Sequence, residues 1–213
     1  MAARFAQLDK AGIDLQVLSS TPASPHFANK THVVDAAHRV NDEYAALVEK
    51  YPDRFRAFAS LPFPHTDAAL AELDRAFEMG MLGVAVTTSV LGKALDDEGF
   101  LPVFEELDRR GSVLYVHPAG ARAESTLISK NMTWAVGAPI EDTVALAHLI
   151  LAGIPSRFPD MKILGSHLGG ALPMLLTRMD HQAAWESPST PDKPSLAVQR
   201  MFFDTVAHDH VPA

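Results

Sequence analysis

The 213-residue sequence predicts an α/β fold built from parallel βα units. Short apolar runs alternate with longer segments of helical periodicity along the whole chain. Most of these runs are apolar on both faces, as expected for strands that helices cover on both sides. A Pro-Asp pair precedes an apolar run at 52–53 and again at 159–160, which indicates repeated units of one design.

Six runs have the length and composition of strands. Each is followed, after a loop, by a helical pattern or by the end of the chain. The predicted strands are Asp14–Ser19, Phe55–Leu61, Leu82–Thr87, Ser112–His117, Lys162–Ser166 and Met201–Thr205.

The helices between these strands are predicted from spacing and from residues typical of helix ends. One apolar stripe repeats every three or four residues between the first two strands and predicts a helix that packs on the sheet. Thr66 is the expected N-cap of the next helix, and Gly80 its end. Pro102 and Gly111 bracket a third helix in the same way. The stripe consists of Val33, Ala37, Val40, Tyr44, Leu47 and Tyr51.

Composition excludes several classes of function. The formal net charge of −8 and the lack of a basic run argue against nucleic-acid binding, which depends on clustered Lys and Arg. The absence of Cys excludes disulfides, a thiolate zinc site and a Cys nucleophile, and favours a cytoplasmic protein. Neither a signal peptide nor a membrane span is predicted. We expect a single domain over 1–213, a small-molecule substrate and a possible homodimer.

Two histidines stand at the ends of neighbouring predicted strands. His117 follows Val113–Val116, and His167 follows Ile163–Ser166. The carboxyl ends of parallel strands meet at one edge of a sheet, where loops build active sites, so both rings are expected at one rim. Neutral imidazole ligates zinc, iron or manganese, and a second imidazole can move a proton near pH 7.

The residues around these histidines resemble amidohydrolase family 2, which includes aminocarboxymuconate-semialdehyde and resorcylate decarboxylases. The resemblance runs essentially from end to end. The segments that carry it are Leu95-Asp96-Asp97 with Phe100 and Pro102, Val116-His117-Pro118, Val136-Gly137 with Pro139, Glu141 and Thr143, and His167-Leu168-Gly169-Gly170 with Pro173 and Arg178.

The resemblance implies a (β/α)8 TIM-barrel-like fold that holds a divalent metal ion, with zinc expected and manganese or iron possible. It implies that His117 ligates the metal and that His167 transfers or orients a proton. Trp134 matches a position near the substrate in the decarboxylases; the alternative is a loop aromatic that packs over the barrel mouth. His208, Asp209 and His210 together look like a metal cluster, but loop or substrate contacts are expected for them.

The sequence departs from the family pattern at both ends. The family's first strand carries His-x-His, which supplies two metal ligands, and its last strand carries a metal-binding Asp. Neither strand is found, so we expect about six strands and a domain that is incomplete at both termini. Asp204 lies on the strand before the expected last one and is not predicted as a ligand.

The implied function is a metal-dependent decarboxylase or hydrolase of a small carboxylated or cyclic organic acid. A serine hydrolase is a poor fit, because in Gly165-Ser166-His167-Leu168-Gly169 the nucleophile position of G-x-S-x-G holds His167. The non-enzyme alternative is a truncated remnant that acts as an oligomerisation or interaction module.

Overall fold

The computed structural model describes residues 1–120 and 130–206. Its strands are β1 (Gln16–Leu18), β2 (Phe55–Ala57), β3 (Gly83–Thr87), β4 (Ser89–Val90), β5 (Lys93–Ala94), β6 (Val113–His117), β7 (Lys162–Gly165) and β8 (Phe202–Phe203). All six predicted strands are confirmed, each within its predicted range. The short antiparallel pair β4–β5 was not predicted.

The predicted strands form a parallel series in chain order. β1 pairs with β2, and β3, β6, β7 and β8 form a second parallel set. An isolated parallel bridge between Ala59 and Val84 joins the two sets. This order, with helices between successive strands, is the arrangement of a partial (β/α) barrel.

Helices cover the strands. They are α1 (Ala2–Lys10), α2 (Lys30–Lys50), α3 (Thr66–Glu78), α4 (Leu101–Arg109), α5 (Ala138–Leu151), α6 (Ile154–Arg157), α7 (Leu172–Glu186) and α8 (Pro194–Ala197). The helix predicted between the first two strands is confirmed as α2, with Val33 and Ala37 fully buried. Asn29 is its N-cap, and the side-chain oxygen accepts from the backbone N–H of His32 at 3.0 Å.

The predicted start of α3 was wrong by one residue. His65 is the N-cap, and Thr66 is already helical. The Thr66 hydroxyl donates instead to the carbonyl of Gly99 at 2.7 Å, which ties α3 to the segment before α4. The predicted ends are confirmed, because Gly80 and Gly111 both have positive φ just beyond the last turns of α3 and α4.

The core lies between the strands and the helices and fixes the position of the central strands. All five residues of β3 are buried, and β6 buries Leu114 and Val116. From the helix side, Leu146, Leu149 and Ile150 of α5 join the same apolar cluster. Because β6 and β7 pair side by side, their carboxyl ends are held next to each other.

One helical stretch, 133–151, is long and apolar enough to span a membrane by length and composition alone. Its second half belongs to the core: Leu146, Leu149 and Ile150 are fully buried against the strands. It also contains the acidic pair Glu141-Asp142. The position of this stretch is that of a core helix in an α/β fold.

Within the described residues, β1 and β8 have no strand partner on their outer sides. Apolar side chains are exposed at both edges, including Val17 at 43% and Phe202 at 55%. The open edges agree with the expectation of about six strands.

Candidate active site

The carboxyl ends of β6 and β7 bring the two predicted histidines together. The ring centroids of His117 and His167 are 5.5 Å apart, with 56° between the ring planes. The β6–β7 register pairs Val116 with Gly165, so the chain leaves both strands at the same level. The prediction that the two rings share one rim is confirmed.

A left-handed turn aims the His167 ring. Four consecutive residues, His167 to Gly170, have φ between +49° and +75°. His167 and Leu168 carry side chains in this costly conformation, which is typical of functional sites. The turn is also packed tightly, because an ideal Cβ on Gly169 would lie 2.7 Å from the ring of Phe203 on β8.

The same turn is attached to the start of α5. An ideal Cβ on Gly170 would meet the carbonyl oxygen of Pro139 at 2.0 Å. The Thr143 hydroxyl accepts from the N–H of Ala171 at 2.8 Å and donates to the Pro139 carbonyl at 2.7 Å. The turn and the first turns of α5 therefore form one unit beside the histidines.

Asp142 of α5 is the partner of His167. Its Oδ2 lies 2.8 Å from Nδ1 of His167, and its side chain is 0% exposed. Burial raises the pKa of this carboxyl to about 7; the hydrogen bond from His167 opposes the rise, whereas the charges of Asp204 and Glu141 add to it. In the described part of the chain, Oδ1 of Asp142 has no hydrogen-bond partner.

Sequence reasoning missed Asp142. It lies three, four and seven residues before Ala145, Leu146 and Leu149, which are all buried. A carboxylate on the apolar face of a helix was the signal that could have identified it, since Asp is almost never fully buried without a partner.

His117 has a backbone partner for one ring nitrogen. Its Nδ1 lies 3.1 Å from the carbonyl oxygen of Pro118. A carbonyl only accepts, so this contact places the proton on Nδ1 and leaves Nε2 as the nitrogen with a lone pair. Burial lowers the pKa of His117, and the Pro118 contact opposes this shift. The neutral ring is the form that binds metals.

Glu141, noted in the sequence only as part of a motif, supports the neighbouring strand ends. Its Oε2 accepts from the Thr88 hydroxyl and from the N–H of Ala119, each at 2.9 Å. These contacts join the residues that follow β3 and β6 to α5. Glu141 thus fixes the backbone just beyond His117.

An open cavity of about 800 Å³ lies over the two histidines. Trp134, 57% exposed, belongs to the π-helical turn Thr133–Gly137 that precedes α5. The three predicted site residues therefore meet in one cavity of predominantly apolar lining, as is usual for small-molecule sites. The lining residues are Pro22, His117, Trp134, Ala135, Ala138, Pro139, His167, Leu168, Gly170 and Val206.

Two other predictions concern the end of the chain. The backbone N–H of Asp204 donates to the carbonyl of Gly165 at 3.1 Å, and its side chain accepts from the N–H of Val206 at 3.0 Å. These are the contacts of a strand-end residue, and Asp204 was not predicted as a ligand. His208, Asp209 and His210 lie outside the described residues.

The described side chains offer few donors for a metal ion at this cavity. Over residues 1–120 and 130–206, no three His, Asp or Glu side chains cluster so that they could hold a metal. Nε2 of His117 is one suitable donor at the cavity. The described residues do not form a metal centre by themselves, because catalytic sites usually take three protein ligands.

Comparison with known proteins identifies the family. Residues 2–208 match the amidohydrolase family model. The chain is 30% identical over 212 residues to 2-amino-3-carboxymuconate-6-semialdehyde decarboxylase of Dictyostelium discoideum, covering 97% of this chain and 59% of that protein. It is 30% identical over 197 residues to gamma-resorcylate decarboxylase of Rhodococcus jostii, covering 85% and 60%.

A solved structure has a fold similar to that of this chain. The dihydroxybenzoic acid decarboxylase of Polaromonas sp. JS666, with bound manganese and the inhibitor 2-nitroresorcinol, superimposes with a TM-score of 0.83 at 28% identity. The match covers 94% of this chain and 66% of that one. The chain spans about 60% of the length of the two curated relatives. Its parallel βα architecture and the family match over 2–208 together show that the chain belongs to the amidohydrolase family.

Proposed function

We propose that the protein is a metal-dependent decarboxylase of small, carboxylated, cyclic or unsaturated organic acids. The observation that carries the proposal is the cavity in which the rings of His117 and His167 lie 5.5 Å apart beside Trp134. Family membership supports it, because the matched relatives named above are decarboxylases. The same relatives give no support to a non-catalytic interaction module.

His117 is proposed as one ligand of a divalent metal through Nε2, the nitrogen that the Pro118 contact leaves free. A divalent metal at this position would act as a Lewis acid on an oxygen of the substrate. Further donors would have to complete its shell. Manganese is the first ion to test, since the Polaromonas relative contains it, and zinc is the second.

His167 is proposed as the proton donor of the reaction. The bond between the substrate carbon and its carboxylate breaks, carbon dioxide leaves, and the electron pair stays on the carbon. The proton on Nε2 of His167 then forms the new C–H bond. An imidazole suits this step because its ordinary pKa lies near neutral pH.

Trp134 is proposed to contact the flat face of the substrate. Its large ring is exposed at the cavity, where stacking on a planar acid would bury apolar area. For the protein as a whole we propose a single domain over 1–213, a cytoplasmic location and a homodimer, without nucleic-acid or membrane partners.

The test is carbon dioxide release by the purified protein loaded with Mn²⁺ or Zn²⁺ and given 2,6-dihydroxybenzoate or 2-amino-3-carboxymuconate-6-semialdehyde. We expect release with at least one pair and a loss of about 10²-fold or more in His167→Asn. His148→Asn is the matched control, because His148 lies on α5 and pairs with Asp96 at 3.1 Å, away from His117 and His167. Absence of release from a metal-loaded protein with both substrates would overturn the proposal.

A further inference from the structure

Asp142 makes a contact that the proposed roles of the two histidines do not explain. It is the fifth residue of α5 and is fully buried, and its Oδ2 lies 2.8 Å from Nδ1 of His167. Once ionised, the Asp142 carboxylate accepts but cannot donate, so in that state this contact holds the ring proton on Nδ1. Nε2 of His167 is then the ring nitrogen that can interact with a substrate in the cavity.

A purely structural role for Asp142 is a poor account of this contact. The turn that follows β7 is already fastened to α5 by Thr143, which bonds the N–H of Ala171 and the carbonyl of Pro139. Asp142 adds a buried carboxylate with one oxygen unpartnered among the described residues. Such a group costs free energy that an apolar side chain would not. Stability alone would not favour Asp at this position.

The surroundings of Asp142 increase that cost. Asp204, beyond β8, and Glu141, its neighbour on α5, are both acidic and raise the pKa of its carboxyl, whereas His167 is the group that lowers it. The carboxylate is therefore stabilised chiefly by a ring that can carry positive charge. A carboxylate in such surroundings suits the role of partner to an imidazole that gains and loses a proton.

We propose that Asp142 is a positioning residue that holds His167 in its Nδ1–H tautomer, keeps the ring aimed at the cavity and stabilises the ring when it is protonated. When Nε2 gives its proton to the substrate carbon, the ring returns to the neutral form with Nδ1–H bonded to Asp142. The catalytic part of this inference rests on the proposed function; the tautomer does not.

The first experiment reads the tautomer directly. In ¹⁵N-histidine-labelled protein at pH 8, where the Asp142 carboxyl is ionised, the His167 resonances, assigned by their loss in His167→Gln, are expected to show Nδ1–H. Asp142→Asn should reverse the tautomer, because its amide can donate to Nδ1. The matched control is Asp96→Asn, which alters the His148 pair on the outer side of the same helix and should leave His167 unchanged.

The second experiment measures kinetics on the metal-loaded protein. Asp142→Asn should lower kcat by about 10- to 100-fold with KM within about twofold, since the substrate contacts remain. Circular dichroism checks that the variant is folded. If it is not, Asp142→Ala is used in its place. In that variant the His167 ring should no longer be held in the Nδ1–H tautomer.

The outcomes separate the two proposals. A His167 ring that keeps Nδ1–H in folded Asp142→Asn and Asp142→Ala overturns the positioning role. A reversed tautomer in a protein that releases no carbon dioxide from either substrate supports the positioning role and overturns the proposed reaction instead. An unchanged kcat in an active protein also contradicts the proposal, whatever the tautomer shows.

Discussion

The α-carbon of Gly170 faces the carbonyl oxygen of Pro139 so closely that an ideal Cβ would lie 2.0 Å from it. Backbone atoms form this contact, so no side-chain rotation can relieve it. Gly170→Ala should therefore lower the free energy of unfolding by about 2 to 5 kcal/mol, from strain at positive φ plus the clash. Urea unfolding measures the change.

Gly12→Ala shows the cost of a positive φ without a close contact; Gly170 adds to this both the contact and a ψ of −124°, which side-chain-bearing residues rarely adopt at positive φ. Gly12 has nearly the same φ, +67° against +64°, and no atom lies within 4 Å of its ideal Cβ. Its cost should be about 1 to 2 kcal/mol, from the left-handed backbone alone. Equal losses in the two variants would mean that the contact with Pro139 contributes nothing.

The buried carboxyl of Asp142 should give stability a specific pH dependence. Burial raises its folded pKa to about 7, above the ordinary value of 3.8. Between these values the folded state holds a proton that the unfolded state releases, so stability falls as pH rises from about 4 to about 7. Asp142→Asn should make this pH-dependent loss of stability smaller by on the order of 2 to 4 kcal/mol.

The measurement is denaturant unfolding of wild type and Asp142→Asn at pH 4.5 and pH 8. Relative to wild type, Asp142→Asn should have a higher free energy of unfolding at pH 8 than at pH 4.5. Titrating groups that do not interact with Asp142 cancel in the comparison, such as His26, whose pKa burial lowers to about 4. A difference that does not change with pH would contradict the assignment.

His117 and His167 should respond differently to a metal. In titration calorimetry with Mn²⁺, His117→Ala should weaken binding by more than about tenfold, since even outer partners of metal ligands contribute 10- to 100-fold. His167→Ala should bind Mn²⁺ nearly as wild type does. His148→Ala serves as the remote control, and equal affinity of His117→Ala and wild type would exclude His117 as a ligand.

The two tryptophans allow a direct test of the cavity. The chain has only Trp134 and Trp185, and Trp185 lies exposed on α7 and donates to the carbonyl of His181 at 2.6 Å. If 2-nitroresorcinol enters the cavity, it should quench Trp134 fluorescence after correction for its own absorbance. Quenching should persist in Trp185→Phe and disappear in Trp134→Phe; the reverse pattern would show binding elsewhere.

The strands were predictable because buried parallel strands are apolar on both faces, but their ends were not. The predicted second strand runs to Leu61, whereas β2 ends at Ala57. Phe58, Ala59 and Leu61 stay buried beyond β2, where the continuous pairing with β1 has ended and Ala59 keeps a single bridge to Val84. Hydrophobic patterns indicate burial, and burial continues beyond the residues that pair as a regular strand.

The candidate site was predictable in part. Each histidine directly follows an apolar run, so strand periodicity alone predicted their shared rim. The contact of His167 with Asp142 joins residues 25 positions apart through a left-handed turn, and no local periodicity encodes it. In the sequence, Asp142 was visible only as a polar interruption of the α5 apolar face.

The packing of Phe203 has a consequence for variation among related chains. Its ring lies against two glycines, with ideal Cβ atoms 3.3 Å away at Gly165 and 2.7 Å away at Gly169. A larger residue at Gly169 would need a smaller one at 203 to keep the His167 turn in place, and one at Gly165 would also need Leu146 to move, because its Cδ1 lies 2.8 Å from the ideal Cβ. We therefore expect these three positions to vary together, so that the identity of residue 203 predicts which side chains β7 and its turn can accept.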